Sequence, residues 1–113
     1  MIRAAKKIIN MGAKNVLLKG GHLNNKMIFD ILVSKKEIKV FPKRKIITKN
    51  THGTGCTLSS ALAACLSQKL SIYKSCNISL KYVDQAISTA PGFGKGFGPL
   101  NHLVSFNLKH TDA

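Results

Sequence analysis

Thr48-Lys49-Asn50-Thr51-His52-Gly53-Thr54-Gly55-Cys56-Thr57 runs straight into Leu58-Ser59-Ser60-Ala61-Leu62-Ala63-Ala64-Cys65-Leu66. Leu58, Leu62, Cys65 and Leu66 recur at helical spacing, so the second stretch predicts a helix. Its other positions are small, which lets it pack closely on a neighbour. Within the first, Asn50–Cys56 is a loop of small residues that opens this helix. Glycine lets a backbone amide approach an anion with no Cβ in the way. The first amides of a helix lack internal acceptors, and the helix dipole is positive there. A Gly-x-Gly turn at a helix start is therefore a ready phosphate cradle. The plainer reading is a strand-to-helix turn whose glycines only permit tight packing. No Walker A pattern is present. Cys56 falls at the helix start, where a thiol gains thiolate character and suits a base or a nucleophile. Cys65 and Cys76 fall farther along helical segments, where buried, inert thiols are expected.

Working outward, Ala5, Ile8, Ile9 and Gly12 share one side of a helix predicted over Ile2–Met11, with Gly12 as its stop. Asn15–Lys19 reads as a buried strand ended by Gly20-Gly21. Helix, tight turn and buried strand make half of a βαβ unit. Met27–Val33 is a second strand. Ile38 and Val40 alternate with Lys39 and Phe41 in a third, and Ser34-Lys35-Lys36 makes the turn between them. Arg44–Thr48 is a further short strand candidate. A second helix is predicted over Ile72–Thr89, with Leu80, Val83, Ala86, Ile87 and Ala90 inward and Pro91 as its stop. A glycine-rich segment, Gly92–Gly98, follows. The fold class is α/β.

Length and composition bound the rest. The chain has 113 residues, 44 % of them hydrophobic, with 3 prolines, so bulk disorder is excluded. One domain fits this length. Eighteen basic residues against 4 acidic ones give a formal net charge of +14. All but Arg3 and Arg44 of the basic residues are lysine, whereas nucleic-acid readers favour the planar fork of arginine. Aromatics are 6 % and do not interleave with the basic cluster, so no stacking platform is present. Specific nucleic-acid binding is not expected, although the positive field attracts anions generally. The Lys35–Lys49 run reads as a solvated face. Three cysteines without C-x-x-C spacing indicate neither a disulfide framework nor a metal site. They fit a reducing cytoplasm best. No apolar run approaches the roughly 18 residues of a membrane span, so no membrane partner is expected.

Three collinear segments carry a family resemblance. Thr48 to Ser59 closely resembles the signature of hydroxymethylpyrimidine/phosphomethylpyrimidine kinase, a member of the ribokinase-like superfamily. Leu17-Leu18-Lys19-Gly20-Gly21-His22, followed by Asp30-Ile31-Leu32, resembles that family's Lys-Gly-Gly-His strand end. Gly94-Lys95-Gly96-Phe97-Gly98-Pro99-Leu100-Asn101-His102 resembles its C-terminal Gly-x-Gly-x-Gly-Pro element. The resemblance runs from Ile2 to about Phe106, so the expected domain is 1–106, with 107–113 as a disordered tail. It covers the C-terminal half of the family only. The expected fold is thus an incomplete ribokinase-like sheet flanked by helices.

The resemblance implies ATP-dependent phosphorylation of hydroxymethylpyrimidine and its monophosphate in thiamine biosynthesis, with ATP and Mg2+ as cofactors. It implies that Gly53, Thr54, Gly55 and Cys56 form an anion hole, with Cys56 in the position of the base that is Asp in most ribokinase-like kinases. Lys19, beside Gly20 and Gly21, would reach the ATP phosphates. Thr48 and Thr51 would bind phosphate or shape the turn. His22 and His52 read as structural, and Lys95 as nucleotide cover or tail. The acidic residues that help place magnesium belong to the family's other half. The partners implied are the pyrimidine substrate, a separately encoded N-terminal half and a second copy in a homodimer. The alternatives are a pyridoxal kinase-like piece and a non-catalytic remnant or basic binding module.

Overall fold

The computed structural model describes residues 1–22, 24–45 and 54–89. The chain divides into two compact units, Met1–Lys45 and Ile46–Ala113. The first unit holds helix α1 (Ile2–Asn10) and strands β1 (Asn15–His22), β2 (Met27–Ser34) and β3 (Ile38–Arg44). The second holds helices α2 (Thr54–Ser67) and α3 (Ile72–Ser88).

In the first unit, Ala5 and Ile9 stand four apart on α1 and are buried. Gly12 has φ +121°, which an L side chain rarely adopts, so the chain leaves the helix there at little cost. The strands form an antiparallel meander in the order β1-β2-β3. Asn24 shapes the first connection by accepting from the Lys26 and Met27 amides at 2.8 and 2.9 Å. Ser34 closes the second: its amide donates to the Glu37 carbonyl at 2.9 Å, and its hydroxyl accepts from the Glu37 amide at 3.1 Å. Side chains alternate across the pleat. One face of the sheet packs Val16, Leu18, Phe29, Ile31 and Val33 against Ala5 and Ile9 of α1. The other face carries Lys19, Asp30, Leu32, Phe41 and Lys43, as the register requires. β2 is central, with Asp30, Ile31, Leu32 and Val33 all buried. Pro42, which has no amide to donate, lies on β3, bonded to β2 on one side only in the described sheet.

In the second unit, the Ser71 hydroxyl caps α3 by accepting from the Lys74 amide at 3.1 Å. α2 turns out at Lys69, a non-glycine residue at φ +63°. The contact described for α2 is with α3, where Cys65 meets the Ser79 hydroxyl at 3.9 Å. α3 is buried continuously from Ser75 to Leu80 and again at Val83 and Ala86.

Several element boundaries differ from the sequence reading. β1 continues through Gly20-Gly21 to His22, because an irregularity rather than a turn absorbs the glycines. α2 begins at Thr54, so Gly55 and Cys56 lie inside the helix rather than before it. Arg44 ends β3, and residues 46–48 lie outside the described set. Leu66, Ile38 and Val40 are exposed, whereas Phe41 and Lys43 are the half-hidden positions of β3. Ala90, Pro91 and everything beyond, including Lys95 and the Gly94–His102 segment, lie outside the described residues.

Candidate functional site

Between Leu18 and Gly21, β1 advances three residues while β2 advances two, from Ile31 to Phe29. Lys19 and Gly20 together therefore oppose the single residue Asp30, which is a β-bulge. Gly20 has φ +81° and supplies the left-handed step that the bulge needs. Gly21 is buried, and a Cβ on it would collide with the Phe29 ring. Gly20 is thus required by its backbone and Gly21 by the Phe29 ring packed on it.

The bulge builds a polar cluster on the sheet face opposite α1. Lys19 Nζ donates to Asp30 Oδ2 at 2.9 Å. The Gly20 amide donates to Asp30 Oδ1 at 3.0 Å. Lys43 Nζ lies 3.3 Å from Asp30 Oδ2. All three strands contribute to this cluster. Its carboxylate is 1 % exposed, whereas the Lys19 side chain is 36 % exposed and Lys43 18 %. Two cations and one anion leave a net positive charge, and solvent reaches it at Lys19.

Burial by itself pushes the Asp30 carboxyl up, but hydrogen bonds from Lys19 and the Gly20 amide, with both ammonium charges, more than offset it. The group sits below its ordinary value of 3.8. For Lys19, burial lowers the pKa, the Asp30 bond opposes this, and repulsion from Lys43 adds to the lowering. The sign for stability follows from linkage. Because the folded pKa of Asp30 is depressed, its contribution is fully present above the unfolded value of 3.8 and is lost as pH falls through the folded value. Urea midpoints taken between pH 6 and pH 2 should hold down to about pH 4.5 and then drop. The Asp30→Asn variant should show a smaller drop over the same window.

The second group of expected site residues lies at the start of α2. Thr54, Gly55 and Cys56 form its first turn, Cys56 is exposed, and that turn carries no acidic residue. The first amides of a helix have no acceptor within the helix, and a dipole end with no acidic side chain beside it suits an anion. A Cβ on Gly55 would meet no described atom within 4 Å, so described packing does not demand glycine there. Gly53, Thr48, Thr51 and His52 lie outside the described residues, and the His22 side chain is not described. Cys65 and Cys76 are buried, as the sequence predicts, and burial pushes the Cys76 thiol up to about 11. Among the described residues, no cluster of His, Cys, Asp and Glu can hold a metal, and no helix is long and apolar enough to cross a membrane.

Lys43 was hidden in the sequence inside a lysine run that reads as solvated. Its signal is register: Lys43 opposes Ile28, which puts it diagonal to Asp30 on the same face.

Comparison with known proteins fits this architecture. A pyridoxal kinase from Staphylococcus aureus in complex with AMP-PCP matches 90 % of the chain with a TM-score of 0.83 and 26 % identity, while the chain covers 38 % of that structure. An ADP complex of Bacillus subtilis pyridoxal kinase matches 89 % with a TM-score of 0.80 and 31 % identity, with 40 % of that chain covered. The chain therefore has part of a ribokinase-like fold. The family profile of phosphomethylpyrimidine kinase matches residues 1–101. The chain belongs to the phosphomethylpyrimidine kinase family. It is 41 % identical over 105 residues to the thiamine biosynthesis bifunctional protein ThiED of Geobacter sulfurreducens, covering 93 % of the chain and 21 % of that protein. It is 36 % identical to hydroxymethylpyrimidine/phosphomethylpyrimidine kinase of Staphylococcus aureus strain MRSA252, covering 99 % of the chain and 41 % of the relative. The chain thus spans well under half the length of these relatives.

Proposed function

We propose that the chain supplies the phosphate-binding half of an ATP-dependent kinase acting on hydroxymethylpyrimidine and its monophosphate. The observation that carries this reading is the start of α2: a helix opening within Gly53-Thr54-Gly55-Cys56, with no acidic residue in its first turn and an exposed thiol. Phosphoryl transfer depends mainly on positioning and charge stabilisation. In this reading the amides at Gly53, Thr54, Gly55 and Cys56 face the charge developing on the transferred group. Cys56 takes the proton of the acceptor hydroxyl. Lys19, held on the bulge, offers a cation to the ATP phosphates, and Thr48 and Thr51 add hydrogen bonds. The acceptor assignment rests on relatives of 36 to 41 % identity, one named for thiamine biosynthesis and one as a hydroxymethylpyrimidine/phosphomethylpyrimidine kinase, against 26 to 31 % for the pyridoxal kinase structures.

ATP fits these residues, but Mg2+ does not. Asp30 is occupied by two ammonium groups, and the described residues offer no other carboxylate cluster. Any magnesium would be held by the nucleotide and by groups elsewhere.

The test is phosphoryl transfer from Mg-ATP to hydroxymethylpyrimidine monophosphate, by the purified chain alone and with the N-terminal part of the Staphylococcus aureus relative added as a separate polypeptide. Transfer in the mixture is expected. Mg-ATP binding without transfer in either sample would leave a non-catalytic nucleotide-binding scaffold, and pyridoxal as the preferred acceptor would move the chain to the pyridoxal branch. Gly55→Ala probes the cradle directly. Alanine is the better helix former by up to about 1 kcal/mol, and described atoms leave room for its methyl. Thermal stability should be unchanged or raised. Transfer should fall about 100-fold, because the methyl stands where an oxyanion must approach.

A further inference from the structure

We infer that Asp30 is a positioning residue for nucleotide binding: its carboxylate tethers the Lys19 ammonium and locks the Gly20 bulge, so that Lys19 is presented to phosphate in one place. The inference rests on the reading of Lys19 as the cation that meets the ATP phosphates, and it deepens that reading.

The geometry assigns the role. A lysine on a flexible four-carbon stem is a poor pointer, because fixing it costs rotamer entropy. Here one of its three N–H donors is fixed on Asp30 Oδ2 at 2.9 Å. Among the described residues no other acceptor takes its remaining donors, and the side chain is 36 % exposed, so a phosphate oxygen can reach it. The second carboxylate oxygen takes the Gly20 amide at 3.0 Å, which fixes the backbone that carries Lys19. Lys43, 3.3 Å from Oδ2 and less exposed, keeps the cluster positive overall. Without that second cation, an Asp–Lys pair would present no net charge to a phosphate. Asp30 lies on the central strand, buried on both faces, so the anchor itself does not move.

The sign of the effect separates positioning from simple electrostatics. Removing an anion beside a phosphate site should strengthen ATP binding if charge alone matters. Removing a tether should weaken it. Mg-ATP affinity is therefore measured calorimetrically for the unmodified chain, Asp30→Asn, Asp30→Ala, Lys19→Met and the Lys19→Met/Asp30→Ala pair. The Lys7→Met variant, changed on exposed α1, is the control for net charge. Loss of a charged hydrogen bond predicts about tenfold weaker binding for Asp30→Ala. Asp30→Asn, which keeps an acceptor oxygen, should fall between it and the unmodified chain. The double variant should bind no worse than Lys19→Met, because Asp30 acts through that residue. Tighter binding in both Asp30 variants, or additive losses in the double variant, would overturn the inference.

A second measurement needs neither nucleotide nor variant. The 15N–1H resonance of Gly20 should titrate with a carboxylate whose pKa is below the ordinary 3.8. A Gly20 resonance that does not respond to acid would overturn the tether even if the Asp30 variants fail to fold. If the unmodified chain binds no Mg-ATP while Gly20 titrates as expected, the nucleotide reading falls and the tether stands as a structural clamp alone, which also overturns the inference as stated.

Discussion

Cys56→Ala should lower phosphoryl transfer by about 100- to 10,000-fold, the usual range for losing a positioned general base. The Michaelis constant for ATP should stay within about threefold, and the reason lies in the backbone. Cys56 is the third residue of α2, and alanine there keeps both the helix and the backbone amide proposed to meet the anion. The substitution therefore removes the thiol and leaves the cradle. Cys56→Ser tests the same point from the other side: it keeps a polar group of similar size but a far weaker acid, so it should be nearly as slow as alanine. Cys56→Asp restores a base of the kind most ribokinase-like kinases carry, and partial recovery is expected. The assay is steady-state transfer from Mg-ATP to hydroxymethylpyrimidine monophosphate in whichever sample shows activity. Near-normal turnover by Cys56→Ala would remove the base assignment and leave the residue only its amide.

These expectations can be stated because particular residues were readable before the fold was known. Periodicity placed α3, since Leu80, Val83 and Ala86 recur at helical spacing and are buried. The turn expected at Ser34-Lys35-Lys36 is present and closes on Glu37. Other features depended on pairing, which a single strand does not show. Gly20-Gly21 reads locally as a strand end, yet Asp30 on the next strand turns those glycines into a bulge within β1. Lys43 looks like one more surface lysine until its register against Ile28 sets it beside Asp30. Ile38 and Val40 alternate like core residues, but they stand on the α1 face of β3 and are 46 % and 53 % exposed. Alternation reports which residues share a face, and only tertiary packing decides whether that face is covered. At the site, glycine chemistry marked the helix start, whereas the long-range tether of Lys19 had no local signature.

Replacing both lysines of the cluster at once should expose how much the buried carboxylate depends on them. Lys43→Met alone leaves Asp30 with Lys19 and the Gly20 amide, and Lys19→Met alone leaves it with Lys43 and that amide. Each single change should be mild, because both side chains are long and partly exposed and the remaining partner still answers the charge. The double variant leaves a carboxylate that is 1 % exposed with one backbone donor. Breaking a buried pair in this way costs roughly 3–5 kcal/mol. A ceiling comes from protonation: neutralising a carboxyl of ordinary pKa 3.8 at pH 7 costs about 4 kcal/mol, so the molecule never loses much more than that. The same route costs under about 2 kcal/mol at pH 5. The pH dependence should therefore reverse. In the unmodified chain the folded state holds Asp30 ionised, so its contribution persists from pH 7 to pH 5 and is lost only below about pH 4.5. In the double variant the folded state favours the protonated form, so the deficit should shrink as pH falls from 7 to 5. Adding Asp30→Asn to the double variant should recover most of the loss, since an apolar or neutral cluster needs no counter-charge. Urea unfolding of the unmodified chain and the four variants at both pH values measures this directly. Equal additive losses at both pH values would show that the lysines contribute packing rather than charge.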